Sequence, residues 1–183
     1  MNIPSGYCLL KKERSEILIK ENYKQYLLKH DIYTPENLIK TGCRPASAKG
    51  RGGVSSISID GMGGEKMLIR KYLRGGLMRF INSDIYVGAS RSFKELDITV
   101  KALSKGIPVP EVLAAITVKL WGPFSRAYLI TRQIPSCCDL ASYFSDLKIN
   151  EKQNFKQKKQ KVLRNVAQLI KAMHEKGFYH CLL

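Results

Sequence analysis

Lys49-Gly50-Arg51-Gly52-Gly53-Val54, and the run Glu65-Lys66-Met67-Leu68-Ile69-Arg70-Lys71-Tyr72 that follows it, decide how the rest of the chain is read. Glycine has no Cβ, so main-chain amides in such a stretch can approach an anion closely. A cation on the adjoining strand would offset the charge, and together they suit a polyphosphate. The same glycines also serve an ordinary β-hairpin, and spacing alone leaves both readings open. A regular strand over 65–72 would send Arg70 and Lys71 to opposite faces.

Toward the N-terminus, residues 7–10 and 17–19 read as short strands around a charged turn at 11–15. Residues 22–30 carry Tyr23, Tyr26 and Leu27 on one helical stripe. Thr34-Pro35-Glu36 opens a second helix: a hydroxyl at the N-cap, proline where no N–H is needed, and an acid at the positive end of the dipole. That helix is expected to end near residues 41–42.

Toward the C-terminus, strands are expected at 54–59 and 65–72, a loop at 74–77, and a connecting stretch at 81–86. Residues 90–105 form the clearest helix, with Phe93, Leu96, Val100 and Leu103 on one face and Gly106 closing it. Prolines 108 and 110 keep 107–110 extended. Strands at 112–120 and 126–134 make a second hairpin around 121–125. A linker and short helix occupy 135–146. The Lys/Gln-rich stretch 148–161 then leads into a helix whose apolar stripe is Val162, Val166, Leu169, Ile170 and Met173 and which ends at Gly177.

Lys and Arg number 31 against 15 Asp and Glu, a formal charge of +16. Such a surplus implies an anionic partner: a nucleotide, nucleic acid, a phosphorylated glycolipid or an anionic membrane surface. Nucleic acid is the main rival on charge, through Lys148, Lys152, Lys156, Lys158, Lys159, Lys161 and Arg164 with tyrosines to stack. Against it, the cations are spread over every element and no nucleic-acid motif is present. The five cysteines (8, 43, 137, 138, 181) have no metal-ligand spacing and read as free thiols packed as small hydrophobes. His30 and His174 have no partner at ligand spacing, and no metal site is expected. The N-terminus lacks the apolar core of a signal peptide, and no run is long enough to span a membrane.

Taken in order, Ser47–Gly52, 69–77 (Ile-Arg-Lys-Tyr-Leu-Arg-Gly-Gly-Leu), 91–95 (Arg-Ser-Phe-Lys-Glu) and 106–110 (Gly-Ile-Pro-Val-Pro) resemble the bacterial 3-deoxy-D-manno-octulosonic acid (Kdo) kinases of the lipopolysaccharide core kinase family. Residues 128–131 (Tyr-Leu-Ile-Thr) with 133–135 (Gln-Ile-Pro) are similar to the family's hinge. Met173-His174, Gly177 and His180 are similar to the approach to its catalytic loop. The resemblance covers about 45–183 and implies an α+β, protein-kinase-like fold. That fold would comprise an N-terminal extension at 1–44, an N-lobe at 45–134 (antiparallel sheet plus one helix), and hinge and first C-lobe helices at 135–183.

Further, the resemblance implies ATP and Mg2+ as cofactors, a Kdo hydroxyl on Kdo-lipid A as acceptor, and a peripheral position at the cytoplasmic face of the bacterial inner membrane. Gly50, Gly52 and Gly53 would cover the phosphates, with Lys49 or Arg51 as added cations. Arg70, where kinases usually have lysine, would meet the α/β-phosphates, with Lys71 in reserve and Glu95 as its acid partner. Thr131, Gln133 and Ile134 would face adenine. Arg74, Arg79 and Arg91 are candidates for substrate anions.

One departure decides the expected activity. Two residues after His180, where the family has its catalytic aspartate, stands Leu182. Leucine cannot accept a hydroxyl proton, so no catalytic residue is assigned, and this chain is expected to be a catalytically incomplete, truncated kinase. The alternative is a scaffold, pseudokinase or nucleic-acid-binding module. With the rest of a C-lobe lacking, the apolar stripe at 162–173 is expected to stay uncovered.

Overall fold

The computed structural model describes residues 3–41, 54–58, 65–73, 84–88 and 91–179. The expected glycine loop (Lys49, Gly50, Arg51, Gly52, Gly53) lies outside the described residues, as do Arg74, Arg79, His180 and Leu182. Strands are β1 (Tyr7–Lys12), β2 (Ser15–Lys20), β3 (Val54–Ser58), β4 (Lys66–Lys71), β5 (Tyr86–Val87), β6 (Val112–Lys119) and β7 (Phe124–Arg132). Helices are α1 (Lys24–Lys29), α2 (Pro35–Thr41), α3 (Arg91–Ser104), α4 (Leu140–Asn150) and α5 (Phe155–Glu175). The class is α+β and protein-kinase-like, as expected. Two compact units divide the chain, 1–101 with 109–134 and 102–108 with 135–183.

The first unit is one antiparallel sheet in the order β1-β2-β6-β7-β4-β3, with β5 also paired to β7. Its strands are rich in Ile, Leu, Val and Ala, and period-2 alternation sends successive side chains to two different cores. On one face Ile17, Ile19, Met67, Ile69, Ile116, Tyr128 and Ile130 pack under Leu27 of α1, Leu38 of α2 and, between the two helices, Ile32. On the other, Leu18, Tyr72, Val112, Ala115 and Leu129 pack against Phe93 and Leu96 of α3. Both faces are therefore covered. The α2 helix is also tied to β3, because the Ser55 hydroxyl donates to the Ile39 carbonyl at 2.9 Å.

Ser92, fully buried in the first turn of α3, donates its hydroxyl to the Ile116 carbonyl at 3.1 Å. That bond fixes the helix against β6 at its N-terminal end. Leu103, expected on the buried face of α3, is 36% exposed, whereas Ala102 is buried. The helical stripe drifts by one position over four turns, as a 3.6-residue period allows.

The β6–β7 turn is tighter than expected. Phe124 already belongs to β7, its amide bonded to the Trp121 carbonyl at 3.1 Å, and Gly122 takes φ +53°, a conformation that favours glycine. At its other end β7 stops at Arg132, and Gln133 and Ile134 lie just past it.

In the second unit, Asp139 caps α4 by accepting from the Ser142 amide at 2.8 Å. The α5 helix starts at Phe155, so the Lys/Gln-rich stretch expected to lead into it is helical from 155 onward. Lys and Gln are good helix formers, and nothing in 155–175 breaks the pattern. Lys105 and Lys176 each donate an ammonium to the other's carbonyl, at 3.0 and 2.6 Å. No residue of α5 is buried; Leu163, Leu169 and Ile170 are exposed. Cys137 and Cys138 are also exposed, which corrects the expectation that they pack as small hydrophobes. Cys8, Cys137 and Cys138 are free thiols.

Candidate functional site

Alternation along β4 sorts the two adjacent cations. Met67, Ile69 and Lys71 share the face under α1 and α2; Leu68 and Arg70 share the face under α3, continued by Tyr72, whose amide bonds the Ala127 carbonyl at 3.0 Å. Arg70 is thereby aimed at α3. One and a half turns into that helix, Glu95 stands one residue before the fully buried Leu96, close enough to the packed stripe to reach β4.

Arg70 Nη2 donates to Glu95 Oε1, and the Tyr72 hydroxyl donates to Glu95 Oε2. Both carboxylate oxygens are thus used. The Arg70 guanidinium also lies over the Tyr72 ring, 4.9 Å from its centroid. The Arg70 side chain remains 45% exposed and that of Glu95 39%. The pair is therefore at a surface, open to a ligand. Burial disfavours the Arg70 charge, but Glu95 and the Tyr72 hydroxyl outweigh it, and its pKa is raised. Burial, followed by the bond to the Glu95 carboxylate, holds the Tyr72 phenol well above its ordinary range. Tyr72 stays a neutral donor throughout the physiological range.

Arg91, the first residue of α3, is exposed, and its guanidinium sits over the rings of Tyr72 (5.5 Å) and Tyr86 (5.4 Å). Arg70, Glu95 and Arg91 are therefore gathered around one aromatic side chain. Lys71 is elsewhere, on the α1/α2 face. Its ammonium pairs with Asp84 at 2.5 Å and lies 5.9 Å from the Tyr128 ring. Asp84 also pairs with Arg126 Nε at 2.9 Å. Burial would raise the Asp84 pKa, but Lys71 and then Arg126 more than reverse this and lower it. Arg126 reaches Glu36 at 3.6 Å, and Glu36 accepts from the Tyr128 hydroxyl.

At the end of β7, Thr131 is within the ladder, opposite Leu68 and Val112. The Arg132 amide is bonded to the Glu111 carbonyl at 2.9 Å and the Gln133 amide to the Lys66 carbonyl at 2.8 Å. Gln133 Oε1 accepts from the Ser56 hydroxyl at 2.6 Å, and Ile134 is 51% exposed. Two amides of the expected adenine-facing stretch are thus spent inside the lobe. A polar cluster from the N-terminal residues buttresses the same corner. Arg132 donates to the Tyr23 hydroxyl, which bonds Glu65 at 3.1 Å, and Arg132 also meets Glu111 at 3.1 Å.

Sequence reasoning passed over Tyr72 and Asp84. Tyr72 could have been found, since it is two residues after Arg70 and so on the same face. Asp84 had no such signal, because its partners come from β4 and β7. Among the described residues, no group of three or more His, Cys, Asp or Glu side chains could hold a metal ion. Nor is any described helix long and apolar enough to cross a membrane.

The sequence profile described as the lipopolysaccharide kinase (Kdo/WaaP) family matches residues 44–183. Among curated proteins, the chain is similar to the 3-deoxy-D-manno-octulosonic acid kinase of Mannheimia succiniciproducens, 30% identical over 138 residues, 73% of this chain and 54% of that protein. The enzyme of the same name from Pasteurella multocida is 31% identical over 138 residues, with the same shares. That of Actinobacillus succinogenes is 27% identical over 174 residues, 88% of this chain and 69% of that protein. The chain spans about half the length of most of the curated relatives it matches. No solved structure matches it.

Proposed function

The chain belongs to the lipopolysaccharide kinase (Kdo/WaaP) family, and we propose that its lobe at 45–134 binds ATP through Arg70, in the service of phosphorylating a Kdo hydroxyl on a Kdo-lipid A acceptor. The observation that carries this is the Arg70–Glu95 ion pair, a strand cation held by a helix acid. Kinase-like folds need that pair in place to orient the α/β-phosphates. A guanidinium can serve where lysine is usual, because its planar donors meet phosphate oxygens two at a time. Glu95 and the Tyr72 hydroxyl both engage Arg70 through Nη2, and in this reading the rest of the half-exposed guanidinium meets the nucleotide.

In this reading Lys49 or Arg51 adds charge beside the glycines Gly50, Gly52 and Gly53. Past β7, next to Thr131, the Gln133 carbonyl and the Ile134 main chain face the adenine, the Gln133 amide being spent on Lys66. Arg91, with Arg74 and Arg79, meets acceptor anions, and hinge and first C-lobe helices begin at 135. The +16 charge suits a peripheral place at the cytoplasmic face of the bacterial inner membrane. Mg2+ would accompany ATP in this chemistry. The described side chains offer no cluster for it, and no step is derived through it.

With Leu182 two residues after His180, the polypeptide of residues 1–183 has no side chain at that position to accept the acceptor hydroxyl's proton. It is proposed to bind nucleotide without transferring phosphate. Equilibrium dialysis with labelled ATP, followed by incubation with Kdo-lipid A, tests both halves. Saturable, ATP-competed binding with no labelled glycolipid is expected. Labelled product would overturn the inactivity, and absence of binding would overturn the nucleotide site.

A further inference from the structure

We infer that Tyr72 is a positioning residue for the nucleotide-facing cation, the element that turns a salt bridge between two exposed side chains into a fixed donor. The inference rests on the nucleotide reading of Arg70. Half-exposed ion pairs are held weakly, since solvent screens them and two long side chains must be ordered. Arg70 and Glu95 are exposed to 45% and 39%, so their attraction alone leaves the guanidinium free to reorient.

Tyr72 differs from both. It is 6% exposed, anchored in the core under Phe93 and Leu96 of α3, with its amide in the sheet. Its hydroxyl occupies Glu95 Oε2, the oxygen Arg70 does not use, which fixes the carboxylate's rotation. Its ring supports the Arg70 guanidinium from below at 4.9 Å, within the range of a cation–π contact. The same ring lies 5.5 Å from Arg91. One rigid phenol therefore orders the cation proposed for the nucleotide and stacks with the one proposed for the acceptor. Its neutral, donating form is kept by its raised pKa.

The test uses the full chain and two readouts. In 15N–1H spectra without nucleotide, the Arg70 guanidinium should show hindered rotation in the wild type. That hindrance should be lost in Tyr72→Phe, which keeps the ring and the fold but removes the hydroxyl, and in Glu95→Gln. In calorimetric titrations with MgATP, Tyr72→Phe should weaken binding about 10-fold, the scale of one hydrogen bond to a charged group. In a Glu95→Gln background the same change should add less than about 2-fold, because the carboxylate it serves has gone.

Unaltered Arg70 rotation in Tyr72→Phe overturns the inference. So do independent, multiplying effects of Tyr72→Phe and Glu95→Gln on affinity. If Arg70 rotation depends on Tyr72 but Arg70→Ala leaves MgATP affinity unchanged, the nucleotide reading fails and takes the positioning role with it.

Discussion

Asp84 shows how much a single side chain decides. It receives Lys71 and Arg126 from two strands and pairs with Lys71 on the face to which alternation has sent it, away from Glu95. Its carboxyl pKa is lowered in the fold, so it contributes stability that is full above the unfolded value of 3.8 and is lost as the pH falls through the depressed folded value. Replacing it by asparagine should cost about 1.5–3 kcal/mol near neutrality, the range for hydrogen bonds to charged groups. The deficit should begin to shrink as the pH falls below the unfolded value of 3.8 and vanish only below the depressed folded value, where the wild-type carboxylate is itself protonated. Urea unfolding of wild type and D84N at pH 7, 4.5 and 3 measures it, and a deficit independent of pH would contradict the assignment.

Among the elements, α3 and α5 show opposite energetics from similar periodicity. Leu96 in α3 is fully buried against the sheet, whereas Ile170 in α5 is 38% exposed. Leu96→Ala should cost about 2–5 kcal/mol by emptying the core, and Ile170→Gln within about 0.5 kcal/mol of nothing. Denaturant midpoints of the two variants check this contrast.

The same pair shows what was legible in the sequence. Phe93, Leu96 and Glu95 could be placed because a helical stripe and the strand alternation of 65–72 are local patterns, and a family resemblance supplied their meaning. Leu103 went astray because its position depends on how far the stripe drifts over four turns. The start of β7 and the start of α5 differ from expectation because a tight turn at Gly122 and the helix propensity of a Lys/Gln run outweigh charge and turn cues. The Asp84 network could not be read at all, since contacts among β4, β7 and α2 are set by tertiary register.

For the molecule as a whole, the N-terminal residues matter more than an extension would suggest. Residues 3–41 lie outside the family match, yet β1 and β2 lengthen the sheet and α1 and α2 cover its second face. Tyr23 and Glu36 reach into networks with Arg132, Arg126 and Tyr128. A sheet that is covered on both faces can hold Arg70 and Glu95 in fixed register, which is what a phosphate grip requires. The positive charge is spread over both units, so it favours anionic partners in general without locating any one of them.

The central claim is that Arg70, held by Glu95, grips the nucleotide while the adjacent Lys71 does not. Calorimetric titration of MgATP into wild type, Arg70→Ala and Lys71→Ala addresses it directly. Arg70→Ala is predicted to weaken binding by about 10-fold or more, and Lys71→Ala to leave it within about 2-fold once both variants are verified as folded. Equal affinity in wild type and Arg70→Ala, or a larger loss in Lys71→Ala, would contradict the account.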